Sequence, residues 1–351
     1  MSQKLILVIG ATGAQGLAVI DSLLAQSADG APSPYAVRAL SRDTDSKRAN
    51  ELRARGVEVV KGNTSDLSSV AAALDGVYGV YVNTDSQSLG EQLETYTGIR
   101  IFELAKTVKT IRQFVYSSLD YIWRDTGYNP LYQVSHFNGK ARVVEFMKAQ
   151  PSVVSNTELS WTAILTGPYM EMLQMYMFGP VKRSDGTFVF AAPIGDGHMP
   201  MIALADIGFF ARYAFDNRGL TSGQELKVAS EMVGWEHVVS TFTKVTGQKA
   251  VFKRLSIEEW AETFDEATLR EPFGGGPLTF RENFSSWWRL YRDDVIKKDM
   301  QWIRERNPNG YTLEKWMRET RYDGSWSEEG VLKRDVDKKG GVLNAKKVAS
   351  A

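Results

Sequence analysis

The run Leu5-Ile6-Leu7-Val8-Ile9, followed by Gly10-Ala11-Thr12-Gly13-Ala14-Gln15-Gly16, restricts the fold of this chain more than any other stretch. Consecutive large apolar residues make a strand buried on both faces, the pattern of a parallel sheet covered by helices on each side. The strand breaks into glycines three apart, and Val19, Ile20, Leu23 and Leu24 then recur at helical spacing. Strand, glycine turn and helix start in that order make an anion site. Glycines let the backbone approach a diphosphate, and the unpaired amides and dipole of the helix face its charge. The spacing is Gly-x-x-Gly-x-x-Gly, one residue longer between the first two glycines than the usual dinucleotide fingerprint.

The alternation continues. Further strands are predicted over Tyr35–Leu40, Val57–Val60, Val77–Val82, Gln113–Tyr116 and Trp161–Leu165. Between them fall helices over Ser46–Arg55, Leu67–Leu74 behind a capping Asp66, and Leu89–Val108 with a charged outer face. Leu119–Val134 reads as a loop, after which Ser135 is placed to cap a helix carrying His136, Lys140, Val143, Val144, Phe146 and Met147. This predicts an α/β fold: a Rossmann-type doubly wound parallel sheet over residues 1–167, with its ligand at the carboxyl ends of the strands. A smaller, mostly C-terminal α+β substrate lobe is expected over 168–324, with room for segments that return to the sheet. In it, Met172–Phe178 and Ser230–Thr246 read as helices, and Thr187–Ala191, Glu225–Ala229 and Ala250–Arg254 as strands. Trp287, Trp288, Trp302 and Trp316 read as core or interface anchors. From 325 to 351 the composition turns to Lys, Asp, Gly and Glu, which predicts a peripheral polar tail.

Composition narrows the chemistry. Lys plus Arg and Asp plus Glu each number 42, so no global charge draws the chain toward nucleic acid or anionic lipid. There is no cysteine, which removes disulfides, thiolate metal sites and cysteine nucleophiles. With only His136, His198 and His237 available, no metal site is expected. No apolar run reaches the roughly 20 residues that span a bilayer, and Met1 leads almost directly into the first strand. The expectation is a soluble protein of the cytoplasm or nucleus.

Two further groups carry chemistry. An acid at the end of the second strand would grip the ribose hydroxyl of NAD, whereas Arg suits a 2′-phosphate. Here that junction reads Leu40-Ser41-Arg42, with Lys47 and Arg48 close behind, which predicts preference for NADP over NAD. In His136-Phe137-Asn138-Gly139-Lys140, His136 and Lys140 share a helix face. Such a Lys can meet the nicotinamide ribose and lower the pKa of a nearby proton donor, and His can donate a proton near neutral pH. A surface Lys beside a packed His is the plainer alternative.

Together with Val115-Tyr116-Ser117-Ser118 and Leu165-Thr166-Gly167-Pro168-Tyr169-Met170-Glu171, these motifs resemble the NmrA-like family, atypical relatives of the short-chain dehydrogenase/reductases. The likeness runs to about Asp323. It implies an NADP(H)-binding Rossmann domain with Gly10, Thr12, Gly13, Ala14, Gln15 and Gly16 on the phosphates and Arg42 and Lys47 on the 2′-phosphate. It further implies Asn63 and Thr64 at the adenine, Thr84 along the ribose, and Lys140, Tyr169 and Glu171 toward the nicotinamide. His136 stands where active short-chain reductases carry Tyr, which leaves two functions open. One is an NADPH-dependent reductase of a small hydrophobic carbonyl, enone, imine or quinone, with Lys140, His136 and Tyr169 (or Tyr121) as catalytic candidates. The other is a non-catalytic NADP(H) sensor that regulates a partner protein.

Overall fold

Seven apolar runs pair in parallel. β1 (Lys4–Ile9), β2 (Tyr35–Ser41), β3 (Glu58–Lys61), β4 (Gly79–Val82), β5 (Gln113–Ser118), β6 (Ser160–Leu165) and β10 (Gln224–Lys227) form one sheet in the order β10-β6-β5-β4-β1-β2-β3. The order reverses beside β1, the switch point where doubly wound sheets open a ligand crevice. β1, β4, β5 and β6 are almost entirely buried, as strands covered on both faces must be. In this computed structural model the described residues are 3–27 and 30–332.

The chain forms two compact units. The first contains residues 1–120, 136–166 and 207–227, and so includes the whole seven-stranded sheet. Its helices Ala14–Leu24, Lys47–Ala54, Leu67–Leu74, Ser86–Thr107 and Ser135–Lys148 follow successive strands. One face of its core joins Leu7, Val80, Phe102, Phe114 and Val143, all fully buried. Asp66 caps its helix by accepting from the Ser68 and Ser69 amides, as the sequence predicts.

The second unit contains residues 121–135, 167–206 and 228–351. It has a small sheet of β12 (Ala250–Arg254), β8 (Phe188–Ala192) and β7 (Val181–Lys182), and a two-stranded pairing of β11 (Glu231–Val233) with β9 (Met199–Met201). The helix Phe280–Arg292 starts in a capping box between Thr279 and Glu282 and buries Trp287 and Trp288 among Phe178, Trp235 and Phe284. Trp316 is buried as well, so these tryptophans are core anchors.

Local expectations change in five places. Ser135 does not cap: it is the first residue of its helix and its Oγ has no hydrogen-bond partner, while its amide donates to Asn283 Oδ1 at 2.9 Å. Leu119–Val134 contains the short helix Ile122–Asp125 and a 3-10 turn at Pro130–Tyr132. Met172–Phe178 is no α-helix but follows a 3-10 turn over Met170–Gln174. The expected helix from Ser230 starts at Trp235, because Glu231–Val233 pairs with β9. At the start of the expected polar tail, the Ser327 amide donates to the Gln174 carbonyl and Val331 is buried; the rest of that stretch, residues 333–351, lies outside the described residues.

Candidate functional site

The glycine turn between β1 and the helix Ala14–Leu24 has three glycines with different duties. Gly10 has φ +85°, and a Cβ there would lie 2.5 Å from the Asn83 carbonyl oxygen. A Cβ on Gly16 would be driven into the Gly10 carbonyl. Both positions are therefore closed by the protein's own backbone. Gly13 differs: a Cβ there would meet only the Gly10 carbonyl oxygen, at 3.2 Å. Gly13 is the N-cap residue, in extended conformation, and no side chain caps the helix start. A helix N-terminus without a cap keeps its anion-binding capacity unspent.

Thr12 is buried, and its carbonyl accepts from Arg48 Nη1 at 2.9 Å. Gln15 is buried too, with Oε1 accepting from Tyr81 Oη at 3.0 Å and Ser117 Oγ at 2.7 Å. Its side chain thus anchors the helix start to β4 and β5.

Beyond β2, Arg42 is exposed and has no hydrogen bond, ion pair or ring contact among the described residues. Lys47 is also exposed, with Glu51 4.0 Å away. Asn63 is exposed and its Oδ1 accepts from the Ser65 amide at 3.1 Å, while Thr64 beside it is half-buried. The guanidinium at the strand end is thus uncommitted, and Arg48, which the sequence placed only in its vicinity, braces the glycine turn.

Lys140 and Thr84 come together in the first unit. Lys140 is nearly buried, and its Nζ donates to the Thr84 carbonyl at 2.8 Å, Thr84 Oγ1 at 3.2 Å and Asn83 Oδ1 at 3.2 Å. Glu94 Oε1 lies 3.0 Å from the same nitrogen. Asn83 therefore touches both the glycine turn through its carbonyl and Lys140 through its side chain. Below them Tyr116 is fully buried. Burial, and then the negative charge of Glu94, hold its phenol well above the ordinary tyrosine range. Glu94 and Asn83 escaped the sequence reading. Asn83 directly follows a strand, a position that marks ligand sites in this architecture, whereas Glu94 sits among the polar residues of its helix and reads as solvent-facing.

His136 is half-buried, its ring edge-on to Phe137 with centroids 5.2 Å apart. The remaining candidates belong to the second unit. Tyr121 is half-buried under the Arg124 guanidinium, 5.1 Å from its ring centroid. Tyr169 bridges to Ile202. The Glu171 carboxylate accepts from the Leu204 amide at 3.1 Å and Trp316 Nε1 at 3.2 Å, and burial raises its pKa above the usual carboxylate range. Its oxygens are committed to the start of the helix Leu204–Asp216 and to an indole.

Among the described residues no cluster of three or more His, Cys, Asp or Glu is arranged to hold a metal, and no helix is long and apolar enough to cross a membrane.

A profile of the NmrA-like family matches residues 2–273. An NmrA-like family domain-containing oxidoreductase, malD of Malbranchea aurantiaca, is 27% identical over 304 residues, covering 82% of this chain and 85% of the relative. Among solved structures, NmrA, a negative transcriptional regulator crystallised with NADP, superposes with a TM-score of 0.69 at 19% identity, over 91% of this chain and 95% of that one. The NADPH-dependent quinone oxidoreductase QOR2 of Escherichia coli, complexed with NADPH, gives a TM-score of 0.66 at 18% identity, over 90% of this chain and 99% of that one.

Proposed function

Because the chain belongs to the NmrA-like family, we propose that it binds NADP(H) in its first unit and reduces a small hydrophobic carbonyl, enone, imine or quinone. One observation carries the cofactor assignment: an uncapped helix start behind Gly13 coincides with a partnerless Arg42 at the end of β2. A helix start that no side chain caps, beside a guanidinium without a partner among the described residues, is equipped for a phosphorylated ligand. The named function of malD, an oxidoreductase, supports the reaction class.

In this reading the turn and helix start from Gly13 to Gly16 face the diphosphate, with Gly10 and Thr12 shaping the turn. Arg42, aided by Lys47, takes the 2′-phosphate, and Asn63 and Thr64 border the adenine. Thr84 and Lys140 orient the ribose at the nicotinamide end, where the family resemblance would add Tyr169 and Glu171. NADPH supplies a hydride to the electrophilic carbon when bound. His136 is the first candidate for delivering the proton that the reduced substrate must take up, with Tyr169 and Tyr121 as alternatives. Lys140 fixes geometry more than it acidifies, since its ammonium protons already have acceptors inside the protein.

The test is NADPH consumption across a panel of quinones, enones and imines. Lys140→Ala is expected to cut turnover at least about tenfold, as loss of a positioned group near the chemistry does. Tight NADPH binding with no turnover on any member of the panel would favour the sensor instead. That second reading draws on the internally saturated Lys140, because a site can bind without any residue poised for chemistry.

A further inference from the structure

Glu94 lies in the helix Ser86–Thr107, just past Gly90, where the backbone leaves helical geometry. It is fully buried, at 0% exposure. A buried carboxylate needs donors, and this one has three, all on one oxygen. Oε1 accepts from Thr84 Oγ1 at 2.7 Å and Ser86 Oγ at 2.8 Å, and pairs with Lys140 Nζ at 3.0 Å. Since the single Thr84 hydroxyl proton goes to Glu94, the Tyr116 hydroxyl 3.3 Å away donates to Thr84 Oγ1. Oε2 has no hydrogen-bond partner, so a proton placed on it would have no acceptor. Lys140 Nζ thus lies within hydrogen-bond reach of Glu94 Oε1, Thr84 and Asn83 together.

The approach is enforced from the other side. A Cβ on Gly139 would lie 2.9 Å from Glu94 Oε2, so glycine at this point of the helix Ser135–Lys148 leaves the carboxylate its space. A Cβ there would also lie 3.2 Å from the Glu91 carbonyl oxygen, so glycine lets the two helices approach at this point although it is unfavourable in a helix interior relative to alanine.

We propose that Glu94 is a positioning residue for the nicotinamide half of the cofactor. It balances the Lys140 charge and clamps that side chain against Asn83 and Thr84, the segment that leaves β4 beside the glycine turn. The inference rests on the NADP(H) reading above, and it concerns only one end of the ligand. The adenosine end, at Arg42, has no contact with this network.

Two titrations of the full chain separate the ends: NADPH, and 2′,5′-ADP, which carries the adenosine phosphates without the nicotinamide riboside. Glu94→Gln is expected to weaken NADPH at least about tenfold while 2′,5′-ADP stays within about twofold of wild type. Gly139→Ala displaces the carboxylate without removing its charge, and it is expected to show the same selective loss even where Glu94→Gln folds poorly. Unchanged NADPH affinity in both variants, or equal loss of both ligands, would overturn the inference and leave the cofactor reading intact. Failure of the wild-type chain to bind either compound would overturn the cofactor reading and this inference with it.

Discussion

Two buried carboxylates of this protein differ in what their oxygens touch. Glu94 faces an ammonium, whereas Glu171 is held by a backbone amide and an indole, neither of which carries charge. Burial dominates at Glu171 and raises its pKa in the folded state. A carboxyl raised on folding contributes fully at low pH, below its unfolded value, and that contribution is lost as pH rises through the folded value. Glu171→Gln keeps an acceptor oxygen without the charge. The melting temperature of Glu171→Gln relative to wild type is therefore expected to climb from about pH 4 to pH 8, measured by calorimetry; a difference that is flat or falls with pH would contradict this. The residue scale was also the least legible from the sequence. Lys140 could be singled out by its spacing from His136, but its partners could not. Glu94 is distant in the chain and lies among Glu91, Gln92 and Thr95, a composition that suggests solvent; only the tertiary fold shows that it is buried.

At the scale of elements, the glycine turn separates fold from ligand. Gly16 is required by the backbone and Gly13 is tolerant, since only Gly16 would force a Cβ into a carbonyl. Gly16→Ala is expected to lower the melting temperature, by an amount set by clash and displaced backbone of about 1–3 kcal/mol. Gly13→Ala is expected to melt within a few degrees of wild type yet bind NADPH at least about tenfold more weakly, because its Cβ intrudes where an anion would approach. Equal melting losses in the two variants would refute the distinction. The inner strands of the first sheet were legible because runs such as Leu5–Ile9 are apolar over the length a doubly covered parallel strand requires, whereas the edge strands β3 and β10 carry charged residues. The second unit was less so. Glu231–Val233 becomes a strand only because β9 lies opposite, and the partner that the Ser135 amide finds is Asn283, remote in sequence. Local pattern cannot report a partner that the chain supplies more than a hundred residues later.

At the scale of the molecule, a formal net charge of zero means that affinity for a polyanionic dinucleotide has to be built locally. In the proposed site, Arg42 and the Asn83–Thr84 segment follow the carboxyl ends of β2 and β4 in one parallel sheet. That architecture and its switch point could be read from the order of strands and helices. The exact course of the chain between the units could not, because residues 121–135 and 207–227 carry no compositional mark of the unit they join. The central claim is that the first unit binds NADP(H) with Arg42 on the 2′-phosphate. It is tested most directly by calorimetric titration of wild type and Arg42→Ala with NADPH and NADH. A charge-assisted contact of about 1.5–3 kcal/mol corresponds to at least about tenfold in affinity. Wild type is therefore expected to prefer NADPH by that factor, and Arg42→Ala to lose the preference while holding NADH unchanged. Equal affinity of wild type for the two dinucleotides, or an unaltered preference in Arg42→Ala, would contradict it.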